Sequence, residues 1–434
     1  MKRRVTFGLT AAMFTAFIAG CGNNIVQQTT TGAVAEKHDP VTVRVGISAS
    51  KLTEEEFARF FVDPVKKKYP WITVERELYD KGRSLSQLVA AGETPDIVWH
   101  TNIGSSLSDF IDLKLDVSLT ELIKKHNLDL NRIETESLDA VKAATQREDL
   151  IAIPYTRHFS ATYYSKEIFD KFGVPYPTDN MTWDQMYELA KKVTRLDSGI
   201  QYRGLEPNVS ERPASQLSLP YVDPKTKKGV LQTDQWKKVM EMVTKIHRIP
   251  GNEQIANHSA ADKLFVEGKL AMEPTVNILY EARFKDYPDL KWDWVTYPVW
   301  PEAPGIGMRI DAHVLALTST SKHKDDAFLV MSALVSDEVQ MDFSRQGRFS
   351  VLKDQKIRDS YGADIDYLKG KNIQALYKTK PAKSFVPTKY DTMAMTAING
   401  AKDDIIKKGK DINTALRDAE EKLNKQIQEK EVGN

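Results

Sequence analysis

The chain has 434 residues, of which 41% are hydrophobic and 28% charged, with a formal net charge of +1. That balance suits a globular protein with room for two domains, and it offers no global field to attract nucleic acid. One cysteine cannot make an internal disulfide, so an exported fold of this sequence must rest on a large apolar core.

In chain order, Met1-Lys2-Arg3-Arg4 is a short basic head, and residues 5–20 are apolar or small and uncharged, ending in Ala19-Gly20 before Cys21. This is the layout of a signal peptide, and the run is short for a membrane-spanning helix, which needs about 20 apolar residues. Residues 22–40 are polar, small and weakly patterned, as in a flexible tether. Folded structure is expected from Val41. Val41, Val43, Val45 and Ile47 alternate as in a strand. Thr53 and Glu56 fit a capping box for a helix whose Phe57, Phe60 and Phe61 share a face and which Pro70 ends. A strand at 72–79, a helix at 84–92 stopped by Gly92 and a strand at 96–101 complete a β-α-β-α-β block, which argues a parallel α/β sheet.

A second α/β block opens at 150–169, with "SATYYS" as strand, and Thr182 to Gln185 caps a further helix. Helices at 234–247 and 259–267 and strands at 270–274 and 291–298 follow. The strand 313–318 with its helix 325–336 comes after a completed block and would suit the first sheet. The C-terminus reads as two helices split by Gly409, the second with a narrow stripe of Ala415, Ala419, Leu423 and Ile427.

Two resemblances follow. Ile18-Ala19-Gly20-Cys21 resembles the lipobox of bacterial lipoproteins, which implies a mature chain beginning at a lipid-bearing Cys21. "GETPDIVWHT" (92–101), the stretch 150–194 from Ile-Pro through Tyr-Tyr-x-Lys to Thr-Trp-Asp, "FVEGKLAMEP" (265–274) and "INTALRDAEEKLNK" (412–425) resemble, in that order, segments of the bacterial extracellular solute-binding proteins of ABC importers, the group with the maltose-type receptors. The resemblance implies a two-lobed α/β fold of the periplasmic-binding-protein kind, with a hinge and a ligand cleft between the lobes. Lobe one is expected over 41–150 and 311–350, and lobe two over 151–310 and 351–434. It also implies a lipid-anchored monomer on the outer face of a cell membrane that catches a carbohydrate, expected to be an oligosaccharide, and delivers it to an ABC importer permease. No catalysis, cofactor or metal is implied.

In open α/β sheets ligands lie beyond the carboxyl ends of strands, which selects candidate contacts. Ser48, with Ser50, ends the first strand, and Trp99, His100 and Asn102 follow the third. Tyr155, Arg157 and His158 sit at the expected first crossing between lobes, and Arg309 and Asp311 at the return crossing. Glu273 and Asn277 follow "LAM", and Trp300 lies in a proline-rich loop. Each has an ordinary alternative: core packing for Trp99 and His100, a hinge salt bridge for Arg157, a helix cap for Asn277, paired charges for Arg309 and Asp311. Trp300 is favoured as a ligand contact because a loop tryptophan is harder to explain as core. Aromatic and mixed polar residues suit a sugar, and the arginines and histidines leave room for an acidic one such as a uronide.

The histidines are scattered without a His-Glu-x-x-His, and there is no Gly-x-Ser-x-Gly elbow and no phosphate-binding Gly-Lys-Ser/Thr loop. "GIGMRI" (305–310) lacks the third glycine of a dinucleotide fingerprint. The alternatives are the same receptor fold with a peptide, polyamine or phosphorylated ligand, and a lipid-anchored glycoside hydrolase, which needs two carboxylates about 5–10 Å apart. A purely structural surface protein is the third.

Overall fold

The computed structural model describes residues 38–47, 52–79, 83–101, 103–207, 210–279 and 284–432. The expected signal peptide, the lipidation site Cys21, most of the tether, Ser48 and Asn102 lie outside the described residues.

The first lobe is built on a five-stranded sheet in the order Ile72–Leu78, Val41–Ile47, Ile97–His100, Ala312–Leu317, Ala152–Arg157. In the strand Val41–Ile47 the four alternating apolar side chains are buried while Thr42 is exposed. The following helix starts on a complete capping box: the Thr53 hydroxyl accepts from the Glu56 amide at 3.1 Å, and the Glu56 carboxylate accepts from the Thr53 amide at 3.0 Å. A wide i+5 turn at Ala58–Val62 lets the adjacent Phe60 and Phe61 both reach the core.

The sheet is mixed rather than all parallel. Val41–Ile47 pairs in parallel with both neighbours, but Ala312–Leu317 runs antiparallel to Ile97–His100 and to Ala152–Arg157. The reason is connectivity: that strand re-enters the first lobe from the second, and so arrives from the opposite end.

The second lobe has a three-stranded antiparallel sheet, with Ser160–Ser165 between Met272–Val276 and Trp292–Thr296. Both faces are covered. Tyr164, Met272 and Val295 pack on one side with Trp183, Trp236 and the terminal helices, while Tyr163, Trp292 and Trp294 pack on the other with Phe265 and Phe284. The helices Asp391–Lys408 and Ile412–Val432 are separated by Gly409, whose φ of 66° needs a residue without a Cβ, and all four residues of the apolar stripe are buried.

The lobe boundaries differ from the sequence expectation at two places. Residues 151–155 and Val351, Leu352 and Ile357, assigned by sequence to the second lobe, pack in the core of the first. Within "IAIPYTRHFSATYYS", His158-Phe159 separates two strands that belong to different sheets, at the expected first crossing.

Gln340 fastens this junction. Fully buried, its amide nitrogen donates to the carbonyls of Tyr155 and Leu334, both at 2.7 Å, and its oxygen accepts from the Ser350 hydroxyl at 2.6 Å and the Val351 amide at 3.2 Å. Gln340→Leu removes all four bonds while keeping similar bulk, and is expected to cost about 2–4 kcal/mol. Chemical denaturation with an unchanged m-value checks this; a loss under about 0.5 kcal/mol, the scale of ordinary surface changes, would refute it.

Candidate ligand-binding cleft

Three chain crossings join the lobes side by side. The Arg157 amide donates to the Phe349 carbonyl at 3.2 Å, the His158 amide to the Asp311 carbonyl at 3.0 Å, and the Thr156 hydroxyl to the Phe349 carbonyl at 2.8 Å. A cleft of about 1080 Å³ opens beside these crossings, walled by Glu56, Trp99 and His313 from the first lobe and by Asn277, Lys285 and Tyr367 from the second. A smaller chamber of about 360 Å³ shares His158 and Asn277 with it and reaches Arg212, Tyr221 and Asp262.

The cleft mixes apolar faces with fixed polar groups. Trp99 is only 2% exposed and meets Tyr155 edge to face at 5.8 Å, yet it lines the cleft, and among the described residues its indole N–H has no hydrogen-bond partner. Arg348 and Glu56, both lining the cleft, form an ion pair. The rings of His158 and His313 meet edge to face at 5.0 Å. Asn277 donates to the Gly347 carbonyl at 3.3 Å and accepts from the Leu279 amide at 3.1 Å, which fixes its side chain locally; most of the helix it was expected to cap lies outside the described residues.

The sequence-selected residues separate into two groups. Arg157, His158, Asn277, Arg309, Asp311 and Trp99 come together around the cleft and its smaller chamber. Tyr155, His100, Glu273 and Trp300 are instead held in the lobe interiors. Tyr155 packs on Phe61, Trp99 and Phe343 beneath the cleft wall. His100 lies against Phe110, and burial pushes its pKa down to about 3, so the ring stays neutral. Trp300 corrects the expectation most clearly: it is 3% exposed, packs near Trp183, and its indole nitrogen donates to the Pro213 carbonyl at 3.1 Å. Proline on both sides holds this loop against the second core, so a non-strand position is here a buried one.

Glu273 stands in mid-strand with no exposure. Burial and the neighbouring Asp262 carboxyl push its pKa well above the ordinary carboxylate range, against the opposing pull of Arg212. Asp262 lines the smaller chamber, so this acid pair backs the site without opening onto it directly. His313, Lys285, Arg348 and Tyr367 are cleft residues that the sequence reading did not select. His313 had a usable signal, as a polar residue at the head of an apolar strand just after the return crossing; the others sit on loops with no pattern to mark them. Among the described residues no group of histidine, cysteine and carboxylate ligands could hold a metal ion.

Two outcomes follow. The folded state keeps the Glu273 proton above the pH at which the unfolded chain releases it, near 4.3, so this group lowers stability as pH rises beyond about 4.3. Glu273→Gln removes that penalty, and its Tm relative to the native chain is expected to climb between about pH 4 and pH 7; a difference flat in pH would refute the buried-acid account. Trp300→Ala is expected to cost about 3–5 kcal/mol in denaturation while leaving ligand affinity of the folded fraction unchanged; the reverse pattern would return Trp300 to the cleft.

Residues 49–341 match the family described as bacterial extracellular solute-binding protein. A binding protein of Brucella abortus (strain 2308) is 22% identical over 254 residues, covering 54% of this chain and 57% of the relative, so the chain spans little more than half the length of that relative. In structure the chain is similar to a sugar transporter from Rhizobium etli in an open conformation, with a TM-score of 0.73, 20% identity and coverage of 88% of this chain and 99% of that one. It is also similar to an ABC transporter solute-binding protein from Thermotoga lettingae bound with alpha-D-tagatose, with a TM-score of 0.66, 18% identity and coverage of 90% and 100%. At such identities the likeness is one of fold, whereas the family match takes in more than half of the chain. The protein therefore belongs to the bacterial extracellular solute-binding proteins, which bind their substrates and do not transform them.

Proposed function

We propose that this protein is a receptor that captures a carbohydrate between its lobes and delivers it to an ABC importer, working as a lipid-anchored monomer outside the cytoplasm. The observation that carries the reading is the large cleft beside three adjacent chain crossings, with walls from both lobes. A ligand there touches both lobes fully only when they close, so binding shifts the population toward the closed form, which the importer would read. The cleft chemistry favours sugar: the half-buried Tyr367 offers apolar ring surface for C–H faces, while Glu56, Asn277 and His313 offer partners for hydroxyls. Its volume of about 1080 Å³ stands at the top of the roughly 300–1,000 Å³ usual for small-molecule sites, which supports an oligosaccharide over a single ring. The structural relatives described as a sugar transporter and as a protein bound with alpha-D-tagatose support the same class.

The lipid anchor rests on the sequence Ile18-Ala19-Gly20-Cys21 behind an uncharged apolar run. Stable attachment takes more than one acyl chain, which a lipidated N-terminal cysteine supplies on its sulfur and its amino group. Cys21→Ser is expected to move the protein from the membrane fraction to the soluble one and to abolish its labelling by a clickable fatty acid; an unchanged distribution would sink the anchor.

Thermal unfolding against mono- and oligosaccharides tests the receptor reading. A ligand at about 100 times its Kd adds about 2.7 kcal/mol, enough to raise Tm by a degree or two in a chain this long. A sugar-specific rise with the sugar recovered intact is expected. A rise only with peptides, polyamines or phosphorylated compounds would keep the receptor and remove the carbohydrate, and release of reducing ends would point to a hydrolase.

A further inference from the structure

Arg157 is the last residue of the strand Ala152–Arg157, at the point where the chain leaves the first sheet. Its main chain is pinned by the bond to Phe349, and its guanidinium carbon lies 4.4 Å from the centre of the Phe349 ring. Among the described residues the guanidinium makes no ion pair or hydrogen bond, and its Nε is buried without a partner. Glu134, the carboxylate that acts on it most strongly, is paired with Arg358, and Glu56, which lines the cleft, with Arg348. Of the other acids lining the cleft, Asp364 is paired with Arg345, and Asp366 with Lys369 at 2.6 Å. Arg157 is therefore a partly buried cation without a counter-charge, lining the cleft beside a second unpartnered donor, the Trp99 indole N–H.

A buried charge without a partner is costly to keep, and a cleft that will receive a ligand is where such a group gains one. The hinge salt bridge that would be the ordinary use of Arg157 is not made. The guanidinium carbon sits over the Phe349 ring, and the N–H donors of the group lie in one plane along its edge. A planar carboxylate matches that edge with two parallel charge-assisted bonds, whereas a tetrahedral phosphate matches it with one pair and leaves further oxygens to be satisfied.

We propose that the captured carbohydrate carries a carboxylate, as in a uronic-acid residue, and that Arg157 binds it edge-on. This rests on the receptor reading above and narrows it to acidic saccharides. Neutral contacts elsewhere in the cleft would set orientation and length, while Arg157 sets the charge.

Isothermal titration of the purified protein with galacturonate, glucuronate and mannuronate disaccharides, their neutral counterparts and a disaccharide phosphate tests it. At least one uronide is expected to bind about ten- to a hundredfold tighter than its neutral counterpart, the range of a charge-assisted hydrogen bond. Arg157→Gln is expected to erase that preference, lowering uronide affinity at least tenfold more than neutral affinity, and Arg157→Lys to restore part of it. Salt provides a measurement that needs no variant: uronide affinity should weaken as ionic strength rises, and neutral affinity should not. Neutral saccharides binding as tightly as every uronide would overturn the inference and leave the carbohydrate receptor standing. Preference for the phosphate would also overturn it, in favour of a different anion. No binding by any saccharide would overturn both readings.

Discussion

The structure depends on how three strands of chain pass between two lobes. At Arg157-His158, at Asp311 and at Phe349 the backbone is tied laterally by hydrogen bonds of 3.0–3.2 Å. Each tie satisfies main-chain groups that would otherwise be exposed at the gap between two cores. Because the ties run across the crossings rather than along them, the lobes can rotate about this band without breaking either sheet. The same band places the ends of the strands Ala152–Arg157 and Ala312–Leu317 beside the cleft, so the hinge and the candidate binding groups are neighbours in sequence as well as in space.

Buried polar groups stand on both sides of that band. In the second lobe, several of them face one another. The Glu273 and Asp262 carboxyls lie against each other with Arg212 near, and His247, pushed to a pKa of about 3 mainly by burial, rests 3.7 Å from Glu206. Asn252, 2% exposed, accepts from two amides and donates to two carbonyls. The matching is partial: among the described residues both ring nitrogens of His247 and the Tyr297 hydroxyl are buried without a hydrogen-bond partner. At the cleft, Arg157 Nε and the Trp99 indole likewise carry donors with no acceptor among the described residues. A ligand that supplies acceptors gains from both the new bonds and the removal of this deficit, which links the incomplete wiring of the apo cleft to recognition.

The first lobe was legible in the sequence because its signals are local. Alternating valines, the capping box at Thr53 and Glu56, and Gly92 with φ of 71° at a helix end each act within a few residues. The stripe on the last helix was legible for the same reason. The crossing at His158 came from the family resemblance and not from periodicity, since a β tract that changes sheets keeps its apolar pattern through the change. Site residues were harder still. A strand-end rule finds Arg157 and His158 but cannot tell Trp99, which reaches the cleft, from His100 beside it, whose side chain is held in the core. Trp300 misled because loop position and exposure are separate properties, and only packing against Trp183 and Pro213 reveals which holds. Arg348 and Tyr367 carry no sequence signature because their place in the cleft is made by long-range packing.

The central claim is that ligand binding and lobe closure are one event, because the cleft walls come from both lobes and meet across a hydrogen-bonded band. Small-angle X-ray scattering of the protein with and without a saccharide that binds it measures this directly. The account predicts a fall in the radius of gyration that saturates with the binding isotherm. Full occupancy with an unchanged radius of gyration would contradict it and would make the cleft a rigid site.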